Sequence, residues 1–125
     1  VMSRKTTQVD VSGIHPLAPS YASQVHGVSG HALVIRENFK TAGYKEGAEE
    51  KGDTFAPFAI ESFGGLGQQA LDLVKAISEE GACIKAASYR ISQRQFLAWL
   101  SVTWQRHNYM VFTEWCKMCQ SVRRR

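Results

Sequence analysis

Cysteine is scarce in this chain: three residues, Cys83, Cys116 and Cys119. An odd and sparse set does not build the disulfide framework of a small secreted domain, and reduced thiols in the cytosol or nucleus are the simpler account. Long apolar runs are missing too; none approaches the roughly 18–20 residues that a membrane span needs. Val1 and Met2 lead into the polar stretch Ser3–Gln8, which lacks the apolar core of a secretory signal. There are no internal repeats and no low-complexity tract. These absences lead to the expectation of a soluble intracellular protein, nuclear or cytoplasmic, with no membrane partner.

What is present is ordinary globular material. Hydrophobic residues make up 44% and charged residues 21% of 125 positions, enough for one domain with a core of its own. The net charge is +4, and the sequence pI is near 9.1. Much of the excess lies in Arg123, Arg124 and Arg125. A basic balance suits a phosphate-rich partner and equally suits a solvated surface with a basic tail.

Gln8–Ile14 alternates Val9 and Val11 with Asp10 and Ser12, as a strand does, and Pro16 and Pro19 end it. From Ala22 to Glu50, the residues Val25, Val28, Ala32, Ile35, Phe39 and Ala42 recur at spacings of three and four, one face of an amphipathic helix. Gly27, Gly30, Gly43 and Gly47 predict frayed or broken ends. Thr54–Phe63 is apolar and aromatic, carries the single charge Glu61, and is bounded by Gly64-Gly65; it reads as a buried strand. Leu66, Ala70, Val74 and Ile77 mark a second helix, closed by Gly81. Strand, helix, strand, helix predicts an α/β fold with a parallel pair.

The last third differs. Tyr89–Ser121 has no proline or glycine, and Leu97, Leu100, Trp104, Val111, Trp115 and Met118 share one helical stripe. Phe96, Trp99, Val102, Tyr109 and Phe112 lie off it. A break near Arg106-His107-Asn108 is expected, because one rod would be about 50 Å long. The surplus apolar surface should meet the sheet, a partner or another part of the protein. The division expected is an α/β core over 1–80 and a helical extension with a basic tail over 81–125.

Three blocks in order, VDVSGIHPLAPSY (Val9–Tyr21), KTAGY (Lys40–Tyr44) and FAPFAIESFGGLGQQALDLV (Phe55–Val74), together resemble one family. This is the restriction-endonuclease-like domain found C-terminal to the reverse transcriptase of non-LTR-type retroelements. That family typically runs Asp-Val-Thr-Val with a following Pro-Leu, then Lys-x-x-Lys-Tyr in a helix, then Phe-x-Pro-Phe-x-x-Glu-Thr-Phe-Gly-Gly. The likeness covers about Val9–Ile77, a little over half of the chain.

The resemblance implies a truncated core of the PD-(D/E)xK nuclease type and metal-dependent nicking of target DNA for reverse transcription. Asp10 and Glu61 fall on its acidic, metal-binding positions, Lys40 on its basic one and Tyr44 on its tyrosine. Hard carboxylate oxygens suit Mg²⁺ or Mn²⁺, and a lysine beside them positions water or phosphate. The implied partners are duplex DNA, with Arg90, Arg94, Arg123, Arg124 and Arg125 as backbone contacts, and an upstream reverse transcriptase domain of the same polyprotein. The family's earlier acidic strand is expected before Val1. Gly43 replaces the family's second lysine, and Lys45 would point about 200° away from that position. The competing expectation is a non-catalytic remnant that binds nucleic acid or protein.

Three further motifs have plainer readings. Gly64-Gly65-Leu66-Gly67 lacks the lysine and serine of a P-loop and reads as a tight turn. Cys116-Lys117-Met118-Cys119 lacks a second ligand pair for zinc and reads as free thiols. Trp99 and Trp104, at helical spacing, read as core; with Arg90, Arg94 and Arg106 nearby, the alternative is a basic–aromatic face for nucleic acid.

Overall fold

Two eight-residue strands, β1 (Thr7–Ile14) and β2 (Thr54–Glu61), pair in parallel in a computed structural model of the chain, with Thr7 opposite Thr54 and Ile14 opposite Glu61. The structure describes residues 5–23, 28–83 and 93–123. Parallel neighbours need a crossover, which runs through α1 (Pro19–Ala22) and α2 (His31–Glu49). Helix α3 (Gln68–Cys83) follows β2, and α4 (Gln93–Arg123) lies in the last third. The expected α/β order, the parallel pair and the helical C-terminal segment are thus present. The chain divides into two units, Val1–Arg90 and Ile91–Arg125. Among the described residues, no helix is long and apolar enough to cross a membrane.

The alternation of β1 is there, but its sense is inverted. Val9 and Val11 are 46% and 68% exposed, whereas Ser12 and Ile14 are buried. Register places Asp10, Ser12 and Ile14 on the same face as Pro57, Ala59 and Glu61. Ile14 and Ala59 join Ala32 and Leu33 of α2 in one cluster, with Tyr21 packed against it. The helix therefore covers the polar side of β1. In β2, by contrast, Pro57, Phe58, Ala59 and Ile60 are buried in succession, as in a strand covered on both faces; α3 also packs on this strand.

A proline inside a paired strand needs an account, because it has no N–H to give. The Thr54 and Ser62 N–H groups donate towards β1, to Thr6 and Ile14 oxygens at 2.9 and 2.8 Å. The backbone of Ala59 and Glu61 bonds the other way, to Gly67 and Gly65. Odd-numbered residues of β2 thus turn their backbone groups away from β1, and the missing N–H of Pro57 falls on that outer side. The parallel ladder loses nothing.

The helices depart from expectation in three places. Helix α2 starts only at His31, where Gly30 takes a left-handed φ of 78°; Val25 and Gly27 lie outside the described residues. Its buried face keeps only part of the predicted Ala32–Ile35–Phe39–Ala42 stripe: Ala32 is buried, but Phe39 is 66% exposed and Ala42 is exposed. Leu33, Glu37 and Ala48 complete the buried set, and they lie around the helix from Phe39 and Ala42. Helix α3 runs through Gly81 to Cys83. Helix α4 is continuous over 31 residues, about 46 Å. No break occurs at Arg106–Asn108, where neither proline nor glycine interrupts the ladder and Trp104 stacks on His107 at 5.8 Å.

Two glycines separate the helix interior from the crowded turn. A Cβ at Gly47 meets nothing within 4 Å, whereas one at Gly67 would overlap the Glu37 carboxylate. Gly47→Ala should therefore raise the stability of the N-terminal unit by about 0.5–1 kcal/mol. Gly67→Ala should lower it by about 1–3 kcal/mol. Urea midpoints at constant slope check both signs.

Candidate functional site

Helix α2 turns Leu33, Glu37, Lys40 and Tyr44 to one side, at spacings of four, three and four. Lys40 Nζ reaches Asp10 Oδ2 on β1 at 2.9 Å, with the lysine side chain 14% and the aspartate 34% exposed. The Ser12 hydroxyl donates to the same oxygen at 3.3 Å. Lys40 Nζ also lies 5.1 Å from the centroid of the Tyr44 ring, a cation–π distance, and that ring is 5.9 Å from Phe55. Asp10 of β1 thus meets Lys40 and Tyr44, neighbours one turn apart on α2, at one point. There they present an ammonium and a carboxylate at a partly open edge of the sheet.

Glu61 is not part of that meeting point. It stands opposite Ile14, while Asp10 stands opposite Pro57, so four strand residues, about 13 Å, separate them along the sheet. Mg²⁺ binds its oxygens at about 2.1 Å. In this arrangement the two carboxylates do not fit one ion, and an Asp10 oxygen already accepts from Lys40 and Ser12. Glu61 instead belongs to its own turn: its N–H donates to Gly65 oxygen at 2.8 Å, and a Cβ on Gly65 would lie 2.8 Å from Glu61 Oε2. Gly64 holds this turn with φ 92°.

No family model, curated protein or solved structure matches this chain. The site is therefore argued from its own residues. Of the arginines expected on DNA, Arg94 is exposed near the start of α4 and Arg123 is its last residue; Arg90, Arg124 and Arg125 lie outside the described residues. Trp99 is 55% exposed while Trp104 is half-buried. Cys116 and Cys119 are free thiols, half-buried and exposed respectively.

Glu37, which the sequence did not single out, is buried, only 4% exposed, and is the buried charged residue among the described residues of this unit. Its Oε1 accepts the Gln69 N–H at 3.0 Å and the Ala70 N–H at 3.4 Å. These are among the first amides of α3, which have no acceptor inside their own helix. A side chain from one helix thus serves as the N-terminal acceptor of another, where the dipole favours an anion. It also uses the amides that a phosphate would have needed, so the glycine turn before α3 is structural. The only sequence signal was position: Glu37 lies four residues after Leu33 and three before Lys40, visible only once the inner face of α2 is known.

Burial pushes the Glu37 carboxyl above its ordinary value of 4.5; the Ala70 and Gln69 amides act against that shift, and Asp72 adds to it. A raised folded-state pKa contributes stability that is complete below the unfolded value and is lost as pH rises through the folded one. Glu37→Gln keeps an acceptor oxygen and removes the charge. Its stability relative to the parent should improve as pH rises from about 4.5, while Glu37→Ala should cost about 1–3 kcal/mol at the acid end of that range and less as pH rises. Denaturation midpoints from about pH 4 to about pH 8, which start near the ordinary carboxyl value, check this; a Gln variant with the parent's slope would refute it.

Proposed function

We propose that the N-terminal unit is a retroelement-derived, endonuclease-like domain whose ancestral reaction was metal-dependent nicking of target DNA for reverse transcription. The observation that carries this reading is the Asp10–Lys40 contact of 2.9 Å. The resemblance names these two residues from separate blocks, and their meeting beside Tyr44 supports a common site. Lys40 is the cation for a backbone phosphate, and Asp10 holds its ammonium in place. Arg94 and the arginine-rich C-terminus belong to the second unit and are further cations for duplex DNA.

The second reading is a non-catalytic module that keeps nucleic-acid or protein binding without cleavage. The separation of Asp10 from Glu61 favours it, as does Gly43 in place of the family's second lysine. Nicking of supercoiled plasmid in Mg²⁺ or Mn²⁺ decides between the two. On the catalytic reading, Asp10→Ala and Lys40→Ala each lower the rate about 100-fold or more, and Glu61→Ala reports whether the distant carboxylate takes part. A folded, metal-supplied chain that leaves the plasmid closed rejects catalysis and leaves the binding module.

A further inference from the structure

A cleft of about 410 Å³ opens between the start of the sheet and the C-terminal half of α2 and shares Asp10 and Tyr44 with the meeting point described above. One side is bare helix: Gly43 and Gly47 lie a turn apart, and a Cβ at either meets nothing within 4 Å. Another is aromatic, the Tyr44 and Phe55 rings being tilted 30° to each other with Tyr44 52% exposed. Its remaining groups offer both donors and acceptors: Gln8 and Asp10 from β1, Glu50 and Lys51 from the end of α2. The carboxylates nearby have neighbours of their own: Asp10 is held by Lys40, Asp53 accepts from the Gln8 side-chain amide at 2.8 Å, and Glu50 precedes Lys51 in the chain.

A site of this kind suits a flat ligand that carries its own donors and acceptors and no net charge on the inserted part. Its volume is at the lower end of small-molecule sites, roughly 300–1,000 Å³, which admits one ring system and excludes a duplex. We propose that the cleft receives a single unpaired nucleobase, stacked at the Tyr44–Phe55 rings over the glycine face, with its sugar-phosphate at the rim beside Lys51. Stacking on aromatic side chains tolerates any base, and a base that leaves its helix needs such a pocket to replace the lost stack. The inference deepens the nucleic-acid reading above and rests on it. The same base chemistry is carried by a free nucleotide or by a strand.

The test uses the full chain, isotope-labelled, titrated with dAMP, with a short single-stranded oligonucleotide, and with that strand in duplex. Amide shifts should concentrate on Gly43, Tyr44, Gly47 and Phe55 for dAMP and the single strand. Gly47→Leu, which fills the cleft with a better helix former, and Phe55→Leu should each weaken both about tenfold while sparing duplex binding. Shifts that avoid the cleft, or a Gly47→Leu chain that binds like the parent, overturn the base site and leave DNA binding standing. Cleft shifts with dAMP but with neither DNA form support the base site as a nucleotide pocket and count against the DNA reading alone. Silence towards all three probes overturns both.

Discussion

Glu37 sits where α2, the Gly64–Gly67 turn and the first amides of α3 come together, and the geometry of the N-terminal unit follows from its placement. A carboxylate in that position is costly to bury. Two backbone donors and the positive end of α3 offset the cost. Gly67 must lack a side chain for the carboxylate to fit. Because Glu37 faces inward, Lys40 and Tyr44 follow at one and two turns along the same side, and Lys40 comes within reach of Asp10. The rotation of α2 about its own axis is therefore set by a polar contact, and the apolar residues conform to it.

That polar control has a visible consequence on the sheet. Packing against α2 falls to the side of β1 that carries Asp10 and Ser12, so Val9 and Val11 remain exposed. The ion pair and the Ser12 hydroxyl supply partners that a buried polar strand face would otherwise lack. Asp10 and Glu61 are separated by the length of half a strand, because parallel register sets Asp10 opposite Pro57 in mid-strand and Glu61 opposite Ile14 at the end. The glycines of α2 do not break the helix; they leave part of its surface bare beside the aromatic pair, and a cleft results.

The C-terminal unit obeys a different constraint. Helix α4 has 31 residues, and Trp99, Tyr109, Phe112 and Trp115 are each more than half exposed. The rings find local partners one turn apart, Trp104 with His107 and Phe112 with Trp115. Such i, i+3 contacts stabilise a helix only modestly.

How much was legible in the sequence depends on the range of the interaction involved. Strand and helix identity, their order and the parallel pairing were determined by local patterns: alternation around Val9–Val11, apolar spacing in α3, and the turn glycines at 64 and 65. The resemblance put Asp10 and Lys40 in one expected site, but their ion pair is a feature of the tertiary structure and no spacing in the sequence encodes it. The face each element buries was decided only by tertiary structure. Periodicity in α2 pointed to Phe39, whereas Glu37 and Leu33 face inward, because hydrophobic pattern weighs apolar area and is blind to a carboxylate whose partners are amides 32 and 33 residues away. The distance between Asp10 and Glu61 is of the same kind: register exists only once two strands have met, and no local feature of either strand encodes it.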